Sequence, residues 1–348
     1  MRAAVHAGQL LQPVPGGIGR YVRHLIDALP RAGIDVTPFA AGPAPAGMPE
    51  WRDLGWPRGA LRYELWHRLR WPPVAVSGDV VHATSLAVCA AGGRPLVVTV
   101  HDVVFLRQPD LLTARGVAFH RRGLALARRE AAAVIVPTEF GKADLVAEGF
   151  DSDRVHVAPH GVEVREPSSS PAPVDGPYLL FVATLEPRKG LDDLLEAHGR
   201  LRARHPDLSL VVAGPRGWGA PPDLDRPGVV AVGNLNDDDL DAAYRHAIAL
   251  ALPSRYEGFG NQVVEAMARR CPVVTSDAAC LPEVGGDATV VVPTGDIDAL
   301  TDALGELVAD PGARARLGDA GVARACMFTW QRSAELHAAA YRDAAARS

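Results

Sequence analysis

Short apolar segments rich in β-branched residues alternate with longer segments rich in Ala, Leu and Arg along this chain of 348 residues. Such alternation is typical of βα units, in which parallel strands are connected by helices. The pattern predicts strands at residues 3–6, 79–82, 96–100, 133–137, 155–158, 178–183, 208–213, 229–232, 248–252, 273–275 and 289–292. We therefore expect an α/β protein whose sheets are parallel.

The segment EPSSSPAPVDGP, residues 166–177, interrupts this pattern. Proline and serine at this density are typical of a linker rather than a packed core. We predict a first domain at 1–170, a second at 171–329 and a final helix at 330–348 that crosses back to the first domain. Two such Rossmann-like domains would face each other across a cleft at the carboxyl ends of their strands, where folds of this kind bind ligands.

Composition and charge exclude several classes of protein. Charged residues make up 22% of the chain and the formal net charge is −5, which predicts a globular protein with no nucleic-acid partner. No apolar stretch is long enough for a transmembrane helix, and the first residues lack the apolar core of a secretory signal. The four cysteines form no CxxC pair. We expect a cytoplasmic protein without a structural metal.

The stretch RYEGFGNQVVEAMA, residues 255–268, places two acids around a glycine-rich turn that leads into a predicted helix. The free N–H groups at the start of such a helix favour an anion, and a diphosphate suits them. Glu257 would lie at the mouth of this site and accept hydrogen bonds from sugar hydroxyls. Glu265 would take both hydroxyls of a ribose. A capped surface helix with two solvated acids is the alternative.

The stretch FVATLEPRKGLDDLLEA, residues 181–197, places Arg188 and Lys189 between a predicted strand and a predicted helix. Two cations at the start of a helix oppose the helix dipole, so an ordinary surface role is unfavourable. Arginine binds phosphate as a fork and lysine binds it as a point charge. We predict that these two residues bind a diphosphate.

These motifs, with CPVVTSDAACLPEVGGDATVVV after the second acid, resemble the donor site of GT-B retaining glycosyltransferases of the GT4 type, also called group 1. The resemblance covers nearly the whole chain, from GGIGRYV to FTWQRSAELHAAAY. It implies that Glu257 faces the donor sugar and Glu265 holds the ribose. One departure is that Asn261-Gln262 stand where the family usually has Leu-Pro. The predicted donor-binding residues are Gly16, Gly17, Arg188, Lys189, Glu257, Gly258, Phe259, Gly260, Asn261 and Glu265.

Two further segments of the first half fit the same resemblance. PVPGGIGRYVRHL does not match the dinucleotide-binding fingerprint, and the family implies a glycine loop above the donor phosphates, at Gly16 and Gly17. VVTVHDVVF ends a predicted strand with His101 and Asp102. The family implies that His101 lies close to the donor sugar and the acceptor. We predict a catalytic role for His101, together with Glu257, Arg188 and Lys189, and acceptor contacts for Asp102 and Tyr21.

The resemblance implies a retaining, metal-independent hexosyltransferase that uses a nucleotide-sugar and a hydroxyl acceptor, which could be a sugar, a lipid-linked sugar or a small molecule. GDP-mannose is the first choice of donor, because TLEPRKG is similar to the sequence of many mannosyl-transferring members; a UDP-sugar remains open. Two alternatives also remain open. One is a nucleotide-sugar 2-epimerase with the same architecture, and the other is a non-catalytic sugar-nucleotide-binding subunit.

The segment WRDLGWPRGALRYELWHRLRW, residues 51–71, contains four Trp and five Arg. Trp and Arg together suit an anionic lipid interface, which predicts a peripheral contact with the inner face of a membrane. A helix with one packed face and solvated arginines is the alternative, and we favour it over the lipid contact.

Overall fold

The computed structural model describes residues 1–13, 15–48, 50–217, 219 and 222–347. The chain divides into two compact units. Unit 1 contains residues 1–161 and the C-terminal segment that begins at Thr329, and unit 2 spans Val162–Phe328. The first boundary thus precedes the predicted one at residue 170, and the last helix belongs with the first unit.

Unit 1 is built on a seven-stranded parallel sheet with the strand order β3-β2-β1-β4-β5-β6-β7. Its strands are β1 (Arg2–His6), β2 (Asp35–Ala40), β3 (Arg52–Asp53), β4 (Val80–Ala83), β5 (Leu96–Thr99), β6 (Ala131–Val136) and β7 (Val155–Val157). Its helices are α1 (Gly16–Ala28), α2 (Gly59–Leu69), α3 (Val104–Arg107), α4 (Ala114–Glu130), α5 (Glu139–Ala147) and, from the C-terminal segment, α12 (Trp330–Ala346).

The sequence did not predict β2 and β3. Asp35 and Pro38 interrupt the apolar pattern of β2, and proline lacks the N–H that a sheet ladder uses. β3 has only two residues, which is too short for any periodicity. The remaining strands of unit 1 were predicted and are confirmed. They were predictable because their buried apolar runs are typical of a sheet covered on both faces.

Unit 2 is built on a six-stranded parallel sheet with the strand order β10-β9-β8-β11-β12-β13. Its strands are β8 (Tyr178–Val182), β9 (Ser209–Ala213), β10 (Val229–Gly233), β11 (Ala249–Leu252), β12 (Val273–Ser276) and β13 (Val290–Val292). Its helices are α6 (Leu191–Arg202), α7 (Asp237–His246), α8 (Asn261–Ala268), α9 (Leu281–Gly285), α10 (Ile297–Ala309) and α11 (Pro311–Ala325).

In both sheets the order in which the chain adds strands reverses at one internal strand. In unit 1 the chain moves outward from β1 to β3 and then restarts on the other side of β1 with β4. In unit 2 the same change lies between β8 and β11. Loops diverge at the carboxyl ends of such a strand pair, which is where open α/β sheets bind ligands. The loops after β8 and β11 are therefore the place to look for a site.

No described helix combines the length and the apolar character that a membrane crossing requires.

Candidate functional site

The loops that follow β8 and β11 are in direct contact. A short 3-10 helix, Pro187–Lys189, follows β8, and the loop after β11 runs past Pro253 and Arg255. The Arg255 amide donates to the Arg188 carbonyl at 2.7 Å. Gly190 has φ of 69°, and a Cβ there would lie 2.1 Å from the Pro253 carbonyl oxygen. Glycine is therefore required where the two loops meet.

Glu257 is the centre of a buried ionic cluster that these loops create. Lys189 Nζ donates to Glu257 Oε1 at 2.6 Å, and the Ser254 hydroxyl donates to the same oxygen at 2.7 Å. Arg188 Nη1 lies 3.3 Å from Glu257 Oε2. Glu257 and Lys189 are each only 5% exposed, so neither charge is stabilised by bulk water. The cluster therefore depends on its internal pairing.

Arg188 connects the cluster to its surroundings. Its Nη1 also donates to the Tyr256 carbonyl at 3.1 Å, and its Nε pairs with buried Glu186. Its side chain keeps 18% of its surface exposed, more than any other charged member of the cluster. Arg188 is therefore the member that an incoming anion can reach with the least rearrangement.

Opposing effects set the ionisation of the cluster. Burial alone would raise the pKa of Glu257, but the charges of Lys189 and Arg188 and the hydrogen bonds from Lys189 and Ser254 outweigh it, so its pKa lies below the ordinary range. Burial lowers the pKa of the Lys189 ammonium, while Glu257 opposes this. Burial raises the pKa of Glu186 despite its two cationic neighbours. The geometry favours an ionised Glu257 paired with cations.

The glycine-rich turn leads into α8 as predicted. Gly260 precedes the helix with φ of 81°, in the left-handed region that favours glycine, and a Cβ there would lie 2.8 Å from Leu281 Cδ2. Phe259 is buried, with its ring centroid 5.6 Å from that of Phe328. Gly258 and Asn261 flank these residues. The turn therefore leads from Glu257 of the cluster directly into the start of α8 and its first backbone amides.

Glu265 lies on α8 and is half-buried. Its Oε2 accepts a hydrogen bond of 3.1 Å from the Tyr244 hydroxyl on α7. Glu257 thus precedes α8 and Glu265 lies within it, and Arg188 and Lys189 lie next to Glu257. Among the residues that the structure describes, no group of three or more His, Cys, Asp or Glu side chains is arranged to hold a metal ion.

The predicted site residues of the first half all lie in unit 1. Gly16 and Gly17 are exposed at the start of α1, and Gly16 has φ of 62°. His101 Nε2 lies 2.9 Å from the Thr84 carbonyl oxygen, which can only accept, so Nε2 carries the proton. Burial lowers the pKa of His101. Asp102 accepts the Val104 amide at 3.1 Å and so stabilises the turn before α3.

Tyr21 does not lie at a surface. It is 1% exposed, and its hydroxyl is within hydrogen-bonding distance of Thr99 and His337. Its ring meets His101 edge-on, with centroids 4.9 Å apart. This burial does not favour the predicted contact with an acceptor. The ring of Tyr21 packs against that of His101 instead.

Three contributors were missed from the sequence. Glu186 stands inside the quoted TLEPRKG motif and Ser254 follows the predicted strand at 248–252, but neither was assigned a role. Tyr244 belongs to the helix DDDLDAAYRH, which has no local feature that points to a site. Of the three, only Ser254 had a signal in the sequence, because it is a polar residue just after a predicted strand.

Two family models together match nearly the whole chain. Residues 164–324 match the family model described as glycosyl transferases group 1, and residues 15–166 match the model described as glycosyltransferase family 4. The chain is 32% identical over 295 residues to the MMP alpha-(1->4)-mannosyltransferase of Mycolicibacterium hassiacum, an alignment that covers 77% of this chain and 71% of that protein.

Two solved structures share the fold over nearly the whole chain. Sucrose-phosphate synthase from Thermosynechococcus elongatus has a TM-score of 0.78 at 22% identity and covers 100% of both chains. Anabaena HepE in complex with UDP and glucose has a TM-score of 0.73 at 20% identity and covers 97% of this chain and 98% of its own. These likenesses confirm the predicted fold class.

Proposed function

The chain belongs to the GT4-type, group 1 glycosyltransferases, and we propose that it transfers a hexosyl group from a nucleotide-sugar to a hydroxyl acceptor with retention of configuration. The fold is GT-B, with two Rossmann-like parallel-sheet domains, and the protein is an enzyme of the hexosyltransferase type. The observation that carries the proposal is the buried contact between Glu257 and Lys189, with Arg188 beside it.

Unit 2 is the donor-binding domain in this proposal, and unit 1 is the acceptor-binding domain. The formal charges of Glu186, Arg188, Lys189 and Glu257 cancel in the cluster. A nucleoside diphosphate competes with Glu257 for the two cations, because phosphate and carboxylate bind the same donors. Glu257 is then released to accept hydroxyls of the donor sugar. The Gly258–Gly260 backbone and Asn261 complete the phosphate site, and Glu265 binds the ribose.

In the reaction, the acceptor oxygen bonds to the anomeric carbon on the face from which the diphosphate oxygen departs. The acceptor proton passes to a phosphate oxygen of the donor. Arg188 and Lys189 stabilise the negative charge that develops on the leaving diphosphate, and preorganised cations in a site with little water do this well. These two cations support the proposal that no metal ion is needed.

His101 is proposed to contact the donor sugar or the acceptor. Because its Nε2 donates to Thr84, its Nδ1 holds the lone pair in the neutral ring. Nδ1 is buried and has no hydrogen-bond partner among the described residues, so a ligand hydroxyl would satisfy it. Gly16, Gly17 and Asp102 remain proposed contacts of donor and acceptor.

GDP-mannose is the proposed donor. The relative in M. hassiacum is a mannosyltransferase by its name, which supports a mannosyl group. A UDP-sugar is the second candidate, because the structure of HepE holds UDP and glucose. The acceptor is proposed to be a sugar, a lipid-linked sugar or a small hydroxyl compound.

A separate proposal is that the protein is cytoplasmic and that residues 51–71 make a peripheral contact with anionic lipid at the inner face of the membrane. Trp56, Leu61, Leu69 and Trp71 are 76%, 48%, 66% and 52% exposed, which supports it. Against it, Trp51 and Trp66 are buried, so two of the four tryptophans in this segment pack in the core. Flotation with anionic vesicles tests the contact, and absence of binding would remove it.

Calorimetric titration with GDP, UDP and ADP, with and without a chelator, tests the donor site. Binding of GDP in preference to UDP supports a mannosyl donor, and the reverse preference replaces GDP-mannose by a UDP-sugar. Binding of none of the three contradicts the donor site itself. Loss of binding on addition of the chelator contradicts metal independence.

Transfer assays test the roles of the cations. Lys189→Ala is expected to lower the transfer rate by at least about tenfold, because it removes a charge from the leaving-group site. Lys142→Ala, on α5 in unit 1, is the matched control. Equal rates for both variants would contradict the role of Lys189, and release of free altered sugar without an acceptor would favour the epimerase.

A further inference from the structure

A hydrogen bond links Tyr244 on one helix to Glu265 on another. The phenol lies on α7 and is fully buried, and its hydroxyl lies 3.1 Å from Glu265 Oε2 on α8. An ionised carboxylate can only accept, so the tyrosine donates. An ionised carboxylate offers about four acceptor positions, so a bond from the tyrosine does not by itself exclude bonds from ligand hydroxyls.

The ring of Tyr244 is held in place from one face. The guanidinium carbon of Arg269 lies 5.6 Å from the ring centroid, within the range of a cation–π contact. Arg269 Nη1 also donates to the Glu265 carbonyl at 3.1 Å, one turn back along the chain. The same guanidinium thus contacts both the tyrosine and the backbone of the acid that the tyrosine binds.

Arg269 is fixed in turn by a buried acid. Its Nε donates to Asp241 Oδ1 at 2.8 Å, and Asp241 is 2% exposed. Asp241 Oδ2 accepts from Arg245 Nε at 2.7 Å and from the Ser168 amide at 3.0 Å. Because Asp241 holds Arg269 and is itself held by Arg245 and Ser168, the ring of Tyr244 packs against a guanidinium with a defined position.

We propose that Tyr244 is a positioning residue that orients the Glu265 carboxylate for the two ribose hydroxyls of the donor. The inference rests on the proposed function, in which Glu265 binds the ribose. A glutamate side chain has several rotatable bonds, and immobilising it only when the ligand arrives would weaken binding. The bond from Tyr244 restricts the carboxylate before the ligand arrives.

The role predicts a specific loss of recognition of the ribose. A preoriented Glu265 strengthens binding only through the 2′- and 3′-hydroxyls, so ligands without these groups gain nothing from Tyr244. A purely structural tyrosine would instead affect all nucleotides equally. The ratio of affinities for the two kinds of ligand therefore separates positioning from support of the fold.

The test is calorimetric titration with GDP and UDP and with their 2′,3′-dideoxy analogues. Tyr244→Phe keeps the ring and its contact with Arg269 but removes the donor. We expect it to weaken binding of the ribose form by about three- to tenfold, the value of one hydrogen bond, and to leave the dideoxy form unchanged. Glu265→Gln is expected to abolish the preference for ribose.

Tyr178→Phe is the matched control. Tyr178 lies on β8 and is 1% exposed. Its hydroxyl donates at 2.8 Å to the carbonyl of Ala243, the residue before Tyr244, and it has no described contact to Glu265. It should leave the ribose preference intact. If Tyr244→Phe weakens both ligand forms equally while Glu265→Gln removes the preference, the inference is overturned and the donor site stands. If Glu265→Gln keeps the preference, the ribose role of Glu265 fails, and the inference fails with it.

Discussion

Each unit contains a buried network of polar side chains, and the two networks differ in charge. Unit 2 buries charges, in the cluster of Glu257, Lys189 and Arg188. Unit 1 buries a neutral chain of hydrogen bonds that joins Tyr341, His82, Thr99, Tyr21 and His337, with donor–acceptor distances of 2.7–2.9 Å. A buried charge must be paired, whereas a buried neutral group needs only a hydrogen bond.

The direction of every bond in the neutral chain follows from its end. His337 Nδ1 lies 2.7 Å from the Ser333 carbonyl oxygen, so Nδ1 carries the proton and Nε2 accepts from Tyr21. Tyr21 must then accept from Thr99, and Thr99 must accept from His82 Nε2. His82 Nδ1 is left to accept from Tyr341.

Both ends of this neutral chain lie on α12, because Tyr341 and His337 are one turn apart on that helix. Each N–H and O–H donor in it has an acceptor, so the neutral chain has no donor left to offer a ligand. The charged cluster differs, because it lies in loops beyond β8 and β11, and in the proposed function a phosphate replaces the carboxylate of Glu257 as partner of the cations. The neutral chain therefore attaches α12 to the sheet of unit 1, whereas the charged cluster is the proposed donor site.

Glu257→Gln is expected to have the largest effect on stability. It leaves Lys189 buried without its carboxylate, and breaking a buried ion pair costs about 3–5 kcal/mol. Denaturant unfolding should show a lower midpoint for unit 2. Glu257→Gln combined with Lys189→Met should recover part of the loss, because no unpaired charge remains. An unchanged midpoint for the single variant would show that the cluster is not coupled as the distances indicate.

Acid is expected to weaken the neutral chain first. Burial lowers the pKa of His337 from 6.5 to about 4 and that of His82 well below 6.5, so the unfolded chain takes up these protons first. The stability that neutral His337 contributes is complete above about pH 6.5 and is lost as the pH falls toward 4, by about 1.4 kcal/mol per pH unit, and His82 acts in the same direction. His6 and His67, with pKa values of about 4, add to this slope.

The charged cluster responds at lower pH. The pKa of Glu257 lies below its ordinary 4.5, so its contribution is complete above pH 4.5 and is lost as the pH falls below that value. Unfolding followed from pH 7 to pH 3 should therefore show a first loss of stability that His337→Gln reduces and Glu257→Gln does not. A first loss that depends on Glu257 would reverse the comparison.

Thr99→Val is expected to have an intermediate effect. It keeps the shape of the side chain but removes the acceptor of His82 Nε2–H and the donor to Tyr21, at a cost of about 1–3 kcal/mol for a buried unsatisfied group. Thr37→Val on β2, outside the neutral chain, is the control. Equal losses of stability for the two variants would mean that the neutral chain adds nothing beyond an ordinary threonine.

The sequence predicted the parallel sheets, the glycine turn before α8 and the cations after β8, because each depends on local pattern. It could not predict that Lys189 pairs with Glu257, which stands 68 residues later. That contact depends on β8 and β11 being neighbours in the sheet, which is a property of the topology. Tyr244 was missed for the same reason, because its partner lies on another helix.

The segment 51–71 shows a different limit. Its four tryptophans looked like one group in the sequence, but Trp66 is fully buried and Trp56 is 76% exposed. Arg62 is also buried and donates to the carbonyl oxygens of Pro57 and Leu54. The buried residues of α2 are Arg62, Trp66 and His67, so apolar periodicity could not assign its faces. Composition alone therefore overstated the surface available for lipid.

The smallest effect is expected at an ion pair on the surface of unit 2. Arg270 Nη2 lies 2.6 Å from Asp319 Oδ1, but the two side chains are 58% and 63% exposed. Water and salt screen such a pair, so Asp319→Asn should cost less than about 1 kcal/mol in denaturant unfolding. Compared with Glu257→Gln, it changes the same kind of contact at a similar distance and differs mainly in burial. A cost for Asp319→Asn equal to that for Glu257→Gln would show that burial is not what gives the charged cluster its strength.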